Sequence, residues 1–165
     1  MDEELAEFCR REHPRLVAAL DFVCGSLPLA EDLAQETFAR VCKDWQRIRA
    51  MDSPIGYTHR IGLNLARSSF RRRALERRVG YRLAREDSWH DPDAAGAVAV
   101  RAALQGLREQ QRRVLVLRYF LGYSVMEAAE VLDMPVGSVK THAARGLAAL
   151  RDQLGANVTT EDMYA

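Results

Sequence analysis

The chain has no apolar run near the ~20 residues that a bilayer span requires. Its first residues, Met1-Asp2-Glu3-Glu4, lack the basic-then-apolar order of a secretory signal. A cytoplasmic protein without membrane insertion is therefore expected. Cysteine is sparse. Cys9, Cys24 and Cys42 are odd in number, fall early in the chain and form no CxxC pair, so neither a disulfide framework nor a four-cysteine zinc site is indicated, and reduced thiols on helix faces are expected. Cys9 and His13 stand one helical turn apart, but two ligands without a third make no metal centre. A Gly-rich phosphate loop, a nucleophile motif and HExxH are missing too, so the sequence points to no enzyme, no cofactor and no metal. Period-two alternation never lasts more than a few residues, which excludes a sheet-built fold.

What is present is a globular composition, 48% hydrophobic and 28% charged over 165 residues, enough for one medium domain or two small ones. The formal charge of +1 hides a sorting along the chain. Residues 1–44 carry ten acids against five bases, residues 60–85 carry nine arginines against the single Glu76, and residues 86–111 are acidic again. An arginine block of that density is either a solvated helix face or an electrostatic footprint for nucleic acid, and guanidinium suits phosphate. The acidic segment is placed to mask the basic one in the free chain.

Helical periodicity dominates. One helix is expected from Glu3 to Val23, stopped by Gly25, with Pro14 bending or splitting it by removing the hydrogen bond to the Arg10 carbonyl. A second carries Leu29, Leu33, Val41, Trp45 and Ile48, and a third Ile55, Ile61 and Leu65; Ser26 before Pro28 and Ser53 before Pro54 mark their starts. Residues 86–97 are polar, hold Pro92 and Gly96, and read as a linker. Beyond it, Val98–Leu107 and Gln110–Tyr119 read as helices, Gly122 ends the second, and Ser124-Val-Met-Glu127 has the form of a capping box. The expected fold is all-α, two small helical domains on a flexible linker: residues 1–85, then 98–154, then a tail over 155–165.

The short helix after Ser124, the turn at Asp133-Met134 and the helix after Pro135 have the layout of a helix-turn-helix, in which the second helix enters the major groove. Val125, Ala128, Ala129, Leu132, Val136 and Val139 would pack the pair together, leaving Ser138, Lys140, Thr141, His142 and Arg145 for solvent or for base edges and phosphates. In the first half, Asp32, Gln35, Glu36 and Arg40 lie away from the Leu33/Val41/Trp45 stripe. The next helix combines Tyr57, His59, Arg60, Asn64, Arg67 and Arg71-Arg72-Arg73. Aromatic, amide and arginine groups on one helix are the mixture that holds separated strands, although Tyr57 fits a core position equally well.

Taken together, Ala30-Glu-Asp-Leu-Ala-Gln-Glu-Thr-Phe38, Tyr57-Thr-His-Arg-Ile-Gly-Leu-Asn64, Arg71-Arg72-Arg73 and the helix-turn-helix resemble a bacterial sigma factor of the extracytoplasmic-function (ECF) type, over about residues 5–80 and 98–154. The resemblance implies two helical domains without enzymatic activity that direct RNA polymerase core to promoters. It places Asp32, Gln35, Glu36 and Phe38 on the clamp coiled coil of the polymerase β′ subunit. It places Tyr57, Arg60, Asn64, Arg67, Arg71, Arg72 and Arg73 at the melted downstream, minus-ten-type element, with Arg49 to Ser53 shaping a base pocket. Ser138, Lys140, Thr141, His142 and Arg145 fall on the helix that reads the upstream, minus-thirty-five-type element, and the β flap is implied as a further polymerase contact of the chain. The implied partners are polymerase core, promoter DNA and an anti-sigma protein, with the free chain monomeric. Tyr57 stands where the family usually has Trp, Cys42 where it commonly has a large aromatic, Ser68 where it has Asp, Pro135 where it has Ser, and Asp133 where Gly often makes the turn.

Two other classes fit parts of the sequence. A regulator that reads duplex alone would need no polymerase and would bind two-fold symmetric sites. An RNA-binding regulator would use the arginine block and ignore Lys140 and Arg145.

Overall fold

The computed structural model describes residues 2–79 and 95–155; residues 86–94 of the expected linker and 156–165 of the expected tail lie outside that range. Every regular element among the described residues is helical: α1 (Glu3–Cys24), α2 (Leu27–Lys43), α3 (Trp45–Ile48), α4 (Pro54–Arg78), α5 (Ala95–Gln105), α6 (Glu109–Leu115) running into a π segment (Val116–Phe120), α7 (Val125–Leu132) and α8 (Val136–Leu154).

The helix starts follow local chemistry. Ser26 Oγ accepts from Leu29 N with Pro28 in the first turn of α2, and Ser53 Oγ accepts from Gly56 N at 3.1 Å with Pro54 at the first helical position of α4. At α7 both halves of the capping box are present: Glu127 N donates to Ser124 Oγ, and Ser124 N donates to the Glu127 carboxylate. Gly25 ends α1 with φ +69°, a conformation that costs glycine nothing. At Asp133 the same left-handed region is taken by a non-glycine residue, φ +51°, which Asp tolerates better than most.

Three expectations about these elements need correction. Pro14 does not split α1, which is continuous over 22 residues. Pro14 and Arg10 are both exposed, so the orphaned carbonyl faces water while the opposite face is held by packing. The Leu29–Ile48 periodicity belongs to two helices, because α2 ends at Lys43 and the chain turns at Asp44 before α3. The helix expected over Gln110–Tyr119 leaves α geometry after Leu115: Leu121 N donates to Val116 O at 2.9 Å, and the Arg118 guanidinium donates to the Tyr123 carbonyl. In addition, α5 starts at Ala95, ahead of the expected Val98.

Helices α1, α2 and α4 form the N-terminal unit around Leu16, Leu20, Val23, Ala30, Val41, Leu63 and Ala66. Close approach at the α4 crossing depends on Gly62, where a Cβ would meet Leu16 Cδ1 at 3.0 Å and Thr37 Oγ1 at 3.3 Å. Helices α5, α6 and α8 enclose a smaller cluster of Val100, Ala103, Leu104, Leu107, Leu115 and Leu150. The two units also share a core, since Val114, Val116, Leu117, Ala128 and Val139 pack into the same cluster as the N-terminal residues. Polar contacts reinforce that junction. Arg101 pairs with Asp21, Gln105 Nε2 donates to the Phe22 carbonyl at 2.8 Å, and Phe22 meets Phe120 edge-on at 5.0 Å between ring centroids.

Candidate nucleic-acid interface

Helix α4 buries Gly56, Thr58, His59, Gly62, Leu63, Ala66 and Ser69. Its other side therefore carries Tyr57, Arg60, Asn64, Arg67 and Arg71, whose steps of three and four residues put them in one stripe. Asn64, Arg67, Arg71 and Arg72 are exposed, and Tyr57, Arg60 and Arg73 are half-buried. The Tyr57 ring is held under the Arg47 guanidinium, 5.3 Å from its centroid, with Arg47 Nη2 donating to the Tyr57 hydroxyl at 3.1 Å. That orienting role of Arg47 was not foreseen, because nothing in a ten-residue separation across two helix ends signals it. Arg49 reaches back to Asp2 and Glu4 at 3.4 and 3.0 Å, so the loop after α3 is pinned to the start of α1.

Direct ion pairs between the acidic segment and the arginine block are not seen among the described residues. Among the described residues, the acids of the first 44 that form ion pairs do so with Arg10, Arg11, Arg40, Arg47, Arg49 and Arg101, and the block contributes only the 3.9 Å contact of Arg60 with Asp133. What covers part of α4 is α7. Val131 lies 3.7 Å from where a Gly56 Cβ would stand, and His59, 1% exposed, meets Tyr123 with its Nδ1 2.5 Å from the hydroxyl. Burial pushes the His59 pKa down to about 4, against the opposing pull of Glu12 and with a smaller push from Arg15. Burial likewise pushes the Tyr123 hydroxyl up to about 12, so it stays protonated beside the neutral ring.

In the second unit α8 buries Val139, Gly146 and Leu150 and exposes Lys140, Thr141 and Arg145, with Ser138 and His142 half-exposed. The Thr141 hydroxyl donates to the Gly137 carbonyl at 2.9 Å, fixing its rotamer and leaving its methyl and oxygen lone pairs outward. These side chains line the first turns of the second helix of the helix-turn-helix, the part that reaches base edges when such a helix lies in the major groove.

On α2, Asp32, Gln35 and Glu36 share an exposed polar face, and Glu36 is tied to Arg40 across one turn at 2.5 Å. Phe38 is not on that face. It is 6% exposed, with its ring against Phe8 and His13, so its contribution is to seat α2 on α1. Among the described residues no helix is long and apolar enough to cross a membrane, and no three potential metal ligands cluster.

The arrangement is that of two helical units, one presenting an arginine-rich stripe and the other the exposed basic-polar face of the second helix of a helix-turn-helix. Comparison with known proteins gives the same division. Residues 8–76 match the family profile described as Sigma-70 region 2, and residues 97–150 that described as Sigma-70, region 4. The RNA polymerase sigma-E factor of Streptomyces coelicolor is 32% identical over 155 residues, covering 92% of this chain and 86% of that protein. The ECF RNA polymerase sigma factor SigW of Bacillus subtilis is 30% identical over 145 residues, 79% of this chain and 78% of that one. The sigma factor RpoE of Bartonella quintana, solved with the anti-sigma factor NepR, shares the fold with a TM-score of 0.78 at 21% identity, over 94% of this chain and 99% of that one. The chain belongs to the sigma-70 family, as a sigma factor of the ECF type.

Proposed function

We propose that this chain binds RNA polymerase core and selects promoters through two spaced contacts, with residues 1–85 and 98–154 as the working units, 86–97 as the link and 155–165 as a tail. Asp32, Gln35 and Glu36 dock α2 on the β′ clamp coiled coil. Tyr57, Arg60, Asn64, Arg67 and Arg71 to Arg73 hold the melted downstream strand, and Ser138, Lys140, Thr141, His142 and Arg145 read the upstream duplex while their unit meets the β flap. The chain acts without enzymatic activity of its own, is monomeric when free, and is held in check by an anti-sigma protein.

One observation carries this reading: an exposed arginine-rich stripe on α4 and an exposed basic-polar face on the first turns of α8 stand on separate units of one chain. Extruding a base costs a few kcal/mol and stacking returns about 1–3 kcal/mol per base, so neither contact suffices alone. Docking both units on core makes the second contact intramolecular and supplies the missing grip. In the free chain α7 lies against the same end of α4 that carries Tyr57 and Arg60, so promoter reading requires the units to separate there.

The test is run-off transcription by purified core. Asp32→Lys combined with Gln35→Ala is expected to abolish promoter-specific product and core binding while leaving the far-UV helix signal intact. Product at normal yield from that variant overturns the docking assignment.

A further inference from the structure

Helices α1 and α2 pack antiparallel in a register set by aromatic contacts. The His13 ring lies 5.4 Å from Phe38, and Phe8 lies 5.1 Å from Trp45, between centroids. One helical turn from His13 toward the start of α1 is Cys9, and one turn from Phe38 toward the end of α2 is Cys42. Residues one turn apart share a helix face, so the same register sets Cys9 against Cys42. The two thiols are close enough for Cys42 to bear on the Cys9 thiol electrostatically. They differ in access: Cys9 is half-buried, whereas Cys42 is exposed and opens on a shallow groove lined by Asp2, Leu5, Lys43 and Arg47. The third cysteine, Cys24, is buried near the far end of α1.

We propose that Cys9 and Cys42 form a redox-reversible disulfide, a modification site for small peroxides that staples the docking helix α2 to α1. The exposed Cys42, as thiolate, attacks one peroxide oxygen. The O–O bond breaks, Cys42 is oxidised to the sulfenic acid, and the leaving hydroxide takes a proton to become water. The Cys9 sulfur then attacks the Cys42 sulfur, the S–O bond breaks, and the departing hydroxide takes the Cys9 proton as a second water. Burial and the neighbouring Cys42 push the Cys9 thiol up to about 11, so Cys9 is the poorer nucleophile toward the peroxide and the first attack is assigned to the exposed Cys42. Two thiols are oxidised, one peroxide is reduced, and an external dithiol restores the pair by exchange. The crosslink closes the α1–α2 hairpin, so it raises stability by constraining the unfolded chain. Asp32, Gln35 and Glu36 lie farther back along α2 and keep their exposed face.

The full chain, carrying Cys24→Ala to leave two thiols, is treated with stoichiometric hydrogen peroxide and followed by intact mass, peptide mapping and thermal melting. The expected product has lost two hydrogen atoms, yields one peptide pair joined through positions 9 and 42, and melts roughly 10 °C higher. Dithiothreitol reverses all three changes, and Cys9→Ser or Cys42→Ser abolishes them. The proposal is overturned if both thiols remain open to alkylation, if Cys42 joins a second copy, if Cys42 goes on to sulfinic acid with Cys9 untouched, or if the linked chain melts no higher than the reduced one.

Discussion

Mild acid should weaken this protein through a single imidazole. His59 is 1% exposed between α1, α4 and the turn before α7, and its pKa is lowered to about 4 from an ordinary 6.5. Between those values the unfolded chain takes up a proton that the folded chain refuses, so stability is complete above pH 6.5 and falls as pH drops toward 4. At 1.36 kcal/mol per pH unit this amounts to about 3 kcal/mol over the whole window and about 2 kcal/mol by about pH 5. The groups facing the ring are Glu12 and Arg15 of α1 and the Tyr123 hydroxyl. Glu12 opposes the shift and Arg15 adds to it. Asp21, raised by burial, works in the opposite sense, gaining stability as pH falls. Urea unfolding followed by far-UV circular dichroism at several pH values reads the slope directly, and His59→Asn, whose uncharged amide can either donate to or accept from the Tyr123 hydroxyl, should flatten it. Stability that stays level from pH 6.5 to about 5, or an undiminished slope in His59→Asn, would refute the reasoning.

Other consequences follow from the packing and the two interfaces. Leu117 is fully buried in the core that joins the units, so Leu117→Ala should cost about 3 kcal/mol and lower a single cooperative urea transition; two separate transitions would contradict the shared core. Ser124→Ala removes the hydroxyl that accepts from Glu127 N and should cost about 1 kcal/mol by the same measurement. Lys140→Ala with Arg145→Ala should weaken promoter retention by the polymerase complex and reduce the salt dependence of upstream binding by roughly one unit of slope per lost phosphate contact, leaving melting of the downstream element unchanged.

Much of this was legible in the chain because it is written in short-range chemistry. The caps at Ser26, Ser53 and Ser124 depend on residues within one turn, and the burial of α8 follows from Val139 and Leu150. Phe38 could have been assigned to the core as well. It lies four residues after Ala34 and seven before Trp45, on the apolar stripe rather than beside Gln35 and Glu36. The rest depends on register and docking, which leave no local signal. His59 and Tyr123 are 64 residues apart. Cys9 and Cys42 read as unrelated thiols until the α1–α2 register is known. The π segment after Leu115 arises where Tyr123 N reaches back to Leu117 O and Arg118 holds the Tyr123 carbonyl, an arrangement with no periodic signature. The Arg47–Tyr57 stack likewise appears only once α3 and α4 are placed together.

The central claim is that grip on a start site comes from two small helical units acting on a polymerase that holds them at a fixed spacing. Footprinting on a genomic promoter library, with the chain alone and with core added, tests it most directly. The account predicts specific protection of two elements, the downstream one melted, only when both chain and core are present. Equally specific protection of fully paired, two-fold symmetric sites by the chain alone would contradict it.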